Sequence, residues 1–74
     1  MEHPLVIQDP DILSGIPVFY GTRVPVKNLL DYLAAGDTLD EFLDDFPSVK
    51  REIAMAFLEQ LGIWIHKHGF ENIA

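Results

Sequence analysis

The chain has 74 residues, 49% of them hydrophobic and 23% charged, with no cysteine and twelve Asp or Glu against five Lys or Arg, a formal charge of −7. That composition is outside the low-hydrophobicity, high-charge regime of disorder, and it excludes a disulfide or thiolate-metal staple. A chain this short buries only about 60% of the surface its unfolded form exposes, so helix packing or association has to supply the rest of its stability. The charge opposes nucleic-acid binding, which draws on Lys and Arg to neutralise phosphates. No window approaches the ~20 apolar residues of a membrane span, and the N-terminus has no signal-like pattern, so a cytoplasmic protein without a membrane partner is the expectation.

The chain reads as one domain over 1–74: a β arm and hairpin (1–25), a three-helix unit (26–68) and a tail (69–74). Leu5 to Gln8 is a short β-favouring run, stopped by the Asp9-Pro10-Asp11 stretch. Ile16 to Tyr20 and the run from Arg23 flank Gly21-Thr22 and predict a hairpin with Gly21 at positive φ in a two-residue turn. Pro25 suits the first position of a helix, where its missing N–H costs nothing. The first helix should bury Val26, Leu29, Leu30 and Leu33, with Gly36 as its left-handed C-terminal cap.

Thr38 and Glu41 have the spacing of a capping box, opening a second helix whose apolar side is Leu39, Phe42, Leu43 and Phe46, ended before Pro47. Ser48 can cap a third helix from Val49 to about Lys67. At 100° per residue, Val49, Ile53, Ala56, Phe57 and Trp64 fall on one side of it. Met55, Leu58, Gly62 and Ile65 form a second apolar stripe roughly opposite, beyond what one small domain can cover, which predicts a homodimer or partner interface there. The alternative is that Gly62 ends the helix and Ile63 to Ile65 fold back under the core. The N-terminal strand offers an edge that a partner copy could pair with as well.

The fold class expected is therefore mostly α: a short N-terminal strand and β-hairpin followed by a three-helix, helix-turn-helix-like unit. The stretch Gly15 to Glu59 resembles the DUF433 family through Gly15, Pro17, Gly21, Thr22, Arg23, Pro25, Val26, Gly36, Asp37 and Pro47, over about forty-five residues. The resemblance implies a homeodomain-like helical fold and a VapB-type antitoxin encoded beside a PIN-like nuclease toxin, which it would bind and block, with possible repression of its own operon. A helix-turn-helix DNA regulator is the alternative function, and a structural adaptor between proteins a second alternative.

For DNA the candidate contacts are Lys50 and Arg51 at the start of the third helix, with Arg23, opposed by Glu52 and by the acids Asp40, Glu41, Asp44 and Asp45 on the helix before. Those four acids are otherwise a solvated face, although Asp44 and Asp45 sit where negative charge opposes the helix dipole and so suggest a basic partner. Arg23 can grip a phosphate or a partner carboxylate, but in so acidic a chain an internal pair with Asp31 or Asp37 is the expectation. His3, His66 and His68 do not make a metal site, since residues two apart on a helix point about 200° apart. There is no cysteine nucleophile, phosphate-binding glycine loop or metal-ligand set, and Ser14 and Ser48 have turn and cap duties, so neither an enzyme nor a cofactor is expected.

Overall fold

The computed structural model describes residues 3–69, in which a two-stranded antiparallel sheet, β1 (Val6–Ile7) and β2 (Val18–Phe19), precedes three helices, α1 (Val26–Ala34), α2 (Leu39–Asp45) and α3 (Arg51–His68). The expected tail lies, from residue 70 on, outside the described residues. The protein is thus mostly α with a short β element at its N-terminal side.

The hairpin differs from expectation. β2 pairs with β1, Val6 opposite Phe19 and Ile7 opposite Val18, while the run after the turn contributes only an isolated bridge, Val18 to Pro25. Pro25 is tolerated there because the flanking residues carry the hydrogen bonds: Phe19 N–H donates to Val24 O at 3.0 Å and Val26 N–H to Pro17 O at 3.1 Å. β2 is flanked on both sides, which explains why Val18 and Phe19 are fully buried.

The turn sits one residue earlier than predicted. Thr22 N–H closes onto Phe19 O at 3.0 Å around Tyr20 and Gly21, with Gly21 at φ +73°. Thr22 also fixes the path of the chain into Val24, because its hydroxyl donates to Phe19 O at 2.9 Å and accepts from Val24 N–H at 3.0 Å.

Pro25 is the residue before the first helical position, with extended φ and ψ of −60° and 137°. α1 ends as its glycine demands: Gly36 (φ +92°) donates to Leu33 O and Asp37 N–H to Tyr32 O, the pair of bonds of a Schellman cap. Leu29 is fully buried, but Leu30 and Leu33 remain about one-third exposed, and Tyr32 takes their place against the core. The helix is turned so that the Leu29–Tyr32 edge meets α2.

α2 opens with the capping box expected of Thr38 and Glu41, and its whole predicted apolar face joins the core. Phe46 leaves the helix at φ −125°, as a residue before proline must. Ser48 does not cap α3. The chain makes a further turn, Val49 N–H donating to Phe46 O at 3.1 Å, that sinks Val49 to 4% exposure and delays the helix to Arg51 with Lys50 as its N-cap residue.

The core is wholly apolar: Phe19, Leu29, Phe42, Val49, Ile53 and Ala54 form one buried cluster. Phe19 is its junction, edge-on to Phe57 of α3 at 5.5 Å and tilted against Phe42 of α2 at 6.1 Å. Because Thr22 holds β2 in register, replacing it by Val, which keeps the shape and removes both bonds, should lower stability by about 1–2 kcal/mol in chemical denaturation.

Candidate interaction surfaces

Four features bear on function: the acidic face of α2, the start of α3, the loop before β2 and the outer part of α3. All four carboxylates of α2 are exposed, yet three have tasks within the chain. Asp40 pairs with Arg51. Glu41 completes the capping box, accepting from Thr38 N–H at 3.1 Å. Asp45 accepts a hydrogen bond from the Tyr32 hydroxyl at 2.6 Å, which explains a carboxylate at the unfavourable end of the helix without an external partner. Asp44 alone has no hydrogen-bond partner among the described residues.

The same pairing alters the candidate DNA contacts. Lys50 stands exposed before α3, but Arg51 is turned toward Asp40 on the preceding helix. Arg23 is exposed and does not form the expected pair with Asp31 or Asp37; Asp31 is taken by Lys27, four residues before it, at 3.0 Å. A spacing of four on one helix face makes that local pair easier to form than one across the hairpin. Arg23 stands instead at the rim of an open groove of about 440 Å³ shared with Ile7, Ile12, Gly21, Thr22 and Ser48.

The loop before β2 carries strain. Leu13, Ser14 and Gly15 follow one another at φ +48°, +59° and +86°. For glycine this is free, but for leucine and serine the left-handed region costs roughly 1–2 kcal/mol per residue. The turn is held by local bonds, Gly15 N–H to Ile12 O at 3.1 Å and Ile16 N–H to Leu13 O at 3.2 Å. Its leucine gains little from burial: Leu13 is 42% exposed and Ile16 46%. Composition gave no signal of this, because Ser-Gly-Ile-Pro reads as an ordinary turn.

α3 runs without a break through Gly62. The two stripes expected of it resolve differently. Ile53 and Ala54 are buried, and Phe57 and Leu58 pack on the core, so Leu58 belongs to the inner face and not to the outer stripe. Met55 is 54% exposed, Gly62 is exposed and Ile65 is half-buried. Trp64, expected to face the core, is 55% exposed, its ring 4.5 Å from that of His68. Its angular position matches the core side, but the residues of α3 that pack on the core cluster end at Leu58.

Among the described residues no group of three or more His, Cys, Asp or Glu could hold a metal ion, and no helix is long and apolar enough to cross a membrane. His3 stacks on Tyr20, ring centroids 4.3 Å apart.

Residues 6–59 match the family described as Protein of unknown function (DUF433). The chain belongs to this family. A DUF433 chain is thereby recognised from β1 to the middle of α3, and the match stops at Glu59, within the helix. One similar protein is the "Uncharacterized protein y4eO" of Sinorhizobium fredii (strain NBRC 101917 / NGR234), 44% identical over 48 residues. The match covers 65% of this chain and 22% of that relative, so the chain corresponds to little more than a fifth of the larger protein. No solved structure matches the chain.

Tyr32 and Gly62 of this DUF433 chain each set a measurable outcome. The hydrogen bond from Tyr32 to Asp45, with partial burial and the charges of Asp45 and Asp37, raises the Tyr32 pKa above its ordinary 10.0. A raised folded pKa means a contribution that is complete below the ordinary value and lost as pH climbs through the folded one. Ultraviolet titration of a Tyr20→Phe variant should show late phenolate formation, moved earlier by Asp45→Asn. Gly62 is mid-helix and an added Cβ would meet nothing within 4 Å, so Gly62→Ala should raise thermal stability by about 0.5–1 kcal/mol.

Proposed function

We propose that this chain is a non-catalytic, antitoxin-like protein that binds and neutralises a PIN-like nuclease toxin, with the strained Leu13–Gly15 turn as its point of contact. The observation that carries the reading is that turn: two non-glycine residues in the left-handed region, displaying Leu13 and Ile16 to solvent. Strain of this kind persists where a function uses it, and here no internal burial of the leucine offsets it. A convex apolar knuckle suits a pocket on a protein partner. Arg23, exposed at the rim of the groove that also includes Ile12 and in no ion pair among the described residues, adds a cation that can meet a carboxylate of that partner.

Membership in the DUF433 family and the antitoxin character implied by the resemblance support the reading. The acidic face of α2, a second candidate contact, contributes less, since Asp40, Glu41 and Asp45 already have internal partners. The DNA-regulator reading has weaker support, because Arg51 is engaged by Asp40 and the net charge is −7. It predicts a steep salt dependence of binding and a loss of binding in the Lys50→Ala plus Arg51→Ala variant.

Co-expression with the neighbouring gene product is the test. The chain should co-purify with that product and relieve its toxicity. Leu13→Asn, which suits the left-handed conformation and removes the apolar tip, should weaken the complex at least tenfold while leaving the chain as stable as before or more so. Ser14→Gly should gain about 1 kcal/mol of stability and keep the partner. A chain that neither co-purifies nor relieves toxicity eliminates the proposal, and a Leu13→Asn variant that binds normally removes the turn from it.

A further inference from the structure

The chain between β1 and β2 is held by little outside itself. Ile7 and Val18 are partners across the sheet, so the intervening residues leave and return at one point, in the manner of a compact Ω-loop. Among the described residues, every hydrogen bond made by residues 9–16 joins them to one another or to Gln8. Asp11 N–H donates to Asp9 Oδ1 at 2.9 Å and Ile12 N–H to Asp9 O at 2.8 Å. Gly15 N–H donates to Ile12 O at 3.1 Å, Ile16 N–H to Leu13 O at 3.2 Å, and the Gln8 side-chain amide to Gly15 O at 3.4 Å. The first tie to the body comes at Pro17, whose carbonyl accepts from Val26 N–H at 3.1 Å.

Packing adds little to these local bonds. No residue from 9 to 16 belongs to the buried apolar cluster or packs against it, and none is buried. Ile12 forms one wall of the open groove beside Arg23, Ile7 and Ser48. Against these holds stands the left-handed backbone of Leu13 and Ser14, which opening relieves. Opening also returns conformational freedom to the whole loop. A segment with exposed hydrogen bonds and few apolar contacts belongs to the low-stability end of a structure.

We infer that residues 9–16 open and close as one unit while β1, β2 and the three helices stay folded. The Leu13 tip stands out only in the closed form. A partner that grips it binds with an apparent dissociation constant that rises as the closed fraction falls, so strain at Leu13 and Ser14 sets the strength of the contact from inside the chain. That bearing on a partner rests on the toxin-binding reading; the opening itself does not.

Amide hydrogen exchange followed by NMR on the full chain tests it. Relative to their intrinsic rates, Ile12, Gly15 and Ile16 should exchange roughly a hundredfold or more faster than Phe19. Urea below the unfolding transition should hardly change those loop rates while it speeds Phe19 steeply, because little surface is exposed when the loop alone opens. Ser14→Gly relieves strain in the closed form and should slow all three loop amides alike, by about fivefold. A glycine that merely loosened the loop would speed them, and that result overturns the inference. So do loop amides that share the protection and urea dependence of Phe19, since the loop then unfolds only with the body, and loop amides that respond unequally to Ser14→Gly. Each of these results leaves the co-purification test of the toxin reading as it was, and a failure to co-purify leaves the exchange result standing.

Discussion

Phe19 is the contact on which the fold depends. It lies on the strand flanked on both sides, is fully buried, and touches Phe42 of α2 and Phe57 of α3, so the β arm and two of the three helices meet at one ring. The strand has only two residues, far too few to be stable alone, and its place is secured by the helices it helps to organise. The dependence is mutual. Phe42 passes the contact on to Tyr32 and Phe46, with ring centroids at 5.4 Å and 4.9 Å, and so ties α1 into the same aromatic set.

Much of this was legible in the sequence because its signals were local. The capping box at Thr38 and Glu41, the left-handed cap at Gly36 and the stop before Pro47 each depend on a few neighbouring residues, and each stands where the spacing put it. What was misread depended on distant parts of the chain. Whether β2 pairs forward or backward is settled by β1 arriving from eleven residues earlier, which no turn signal between Gly21 and Val24 encodes. Ser48 had the chemistry of a cap but lost the position to a turn that buries Val49.

The candidate surfaces divide in the same way. The two-sided greasiness of α3 was visible as periodicity, but the side was assigned wrongly for Leu58, and Trp64, though on the core side, is left exposed. Angular position tells which residues share a face; it does not tell how far along the helix that face remains covered. The acids of α2 show the converse error. Their charges suggested an external partner, yet Arg51, Thr38 and Tyr32 all come from elsewhere in the chain to meet them. The strained turn at Leu13 left no trace in composition, since Ser-Gly-Ile-Pro reads as an ordinary turn.

The family match ending at Glu59, partway along a continuous helix, has a geometric consequence. A helix is a stiff shaft on which the bearing of each side chain around the axis is fixed by residue count: each residue inserted or removed beyond Glu59 rotates everything after it about that axis by about 100° and shifts it along the axis by about 1.5 Å. Among relatives built on the same body, a change in length by a single residue would leave the shaft's axis where it is but turn the side chains of its outer part to a new quarter around that axis, while leaving Phe19 and its neighbours undisturbed. Bearing, as well as chemistry, would then be an inherited variable of such proteins.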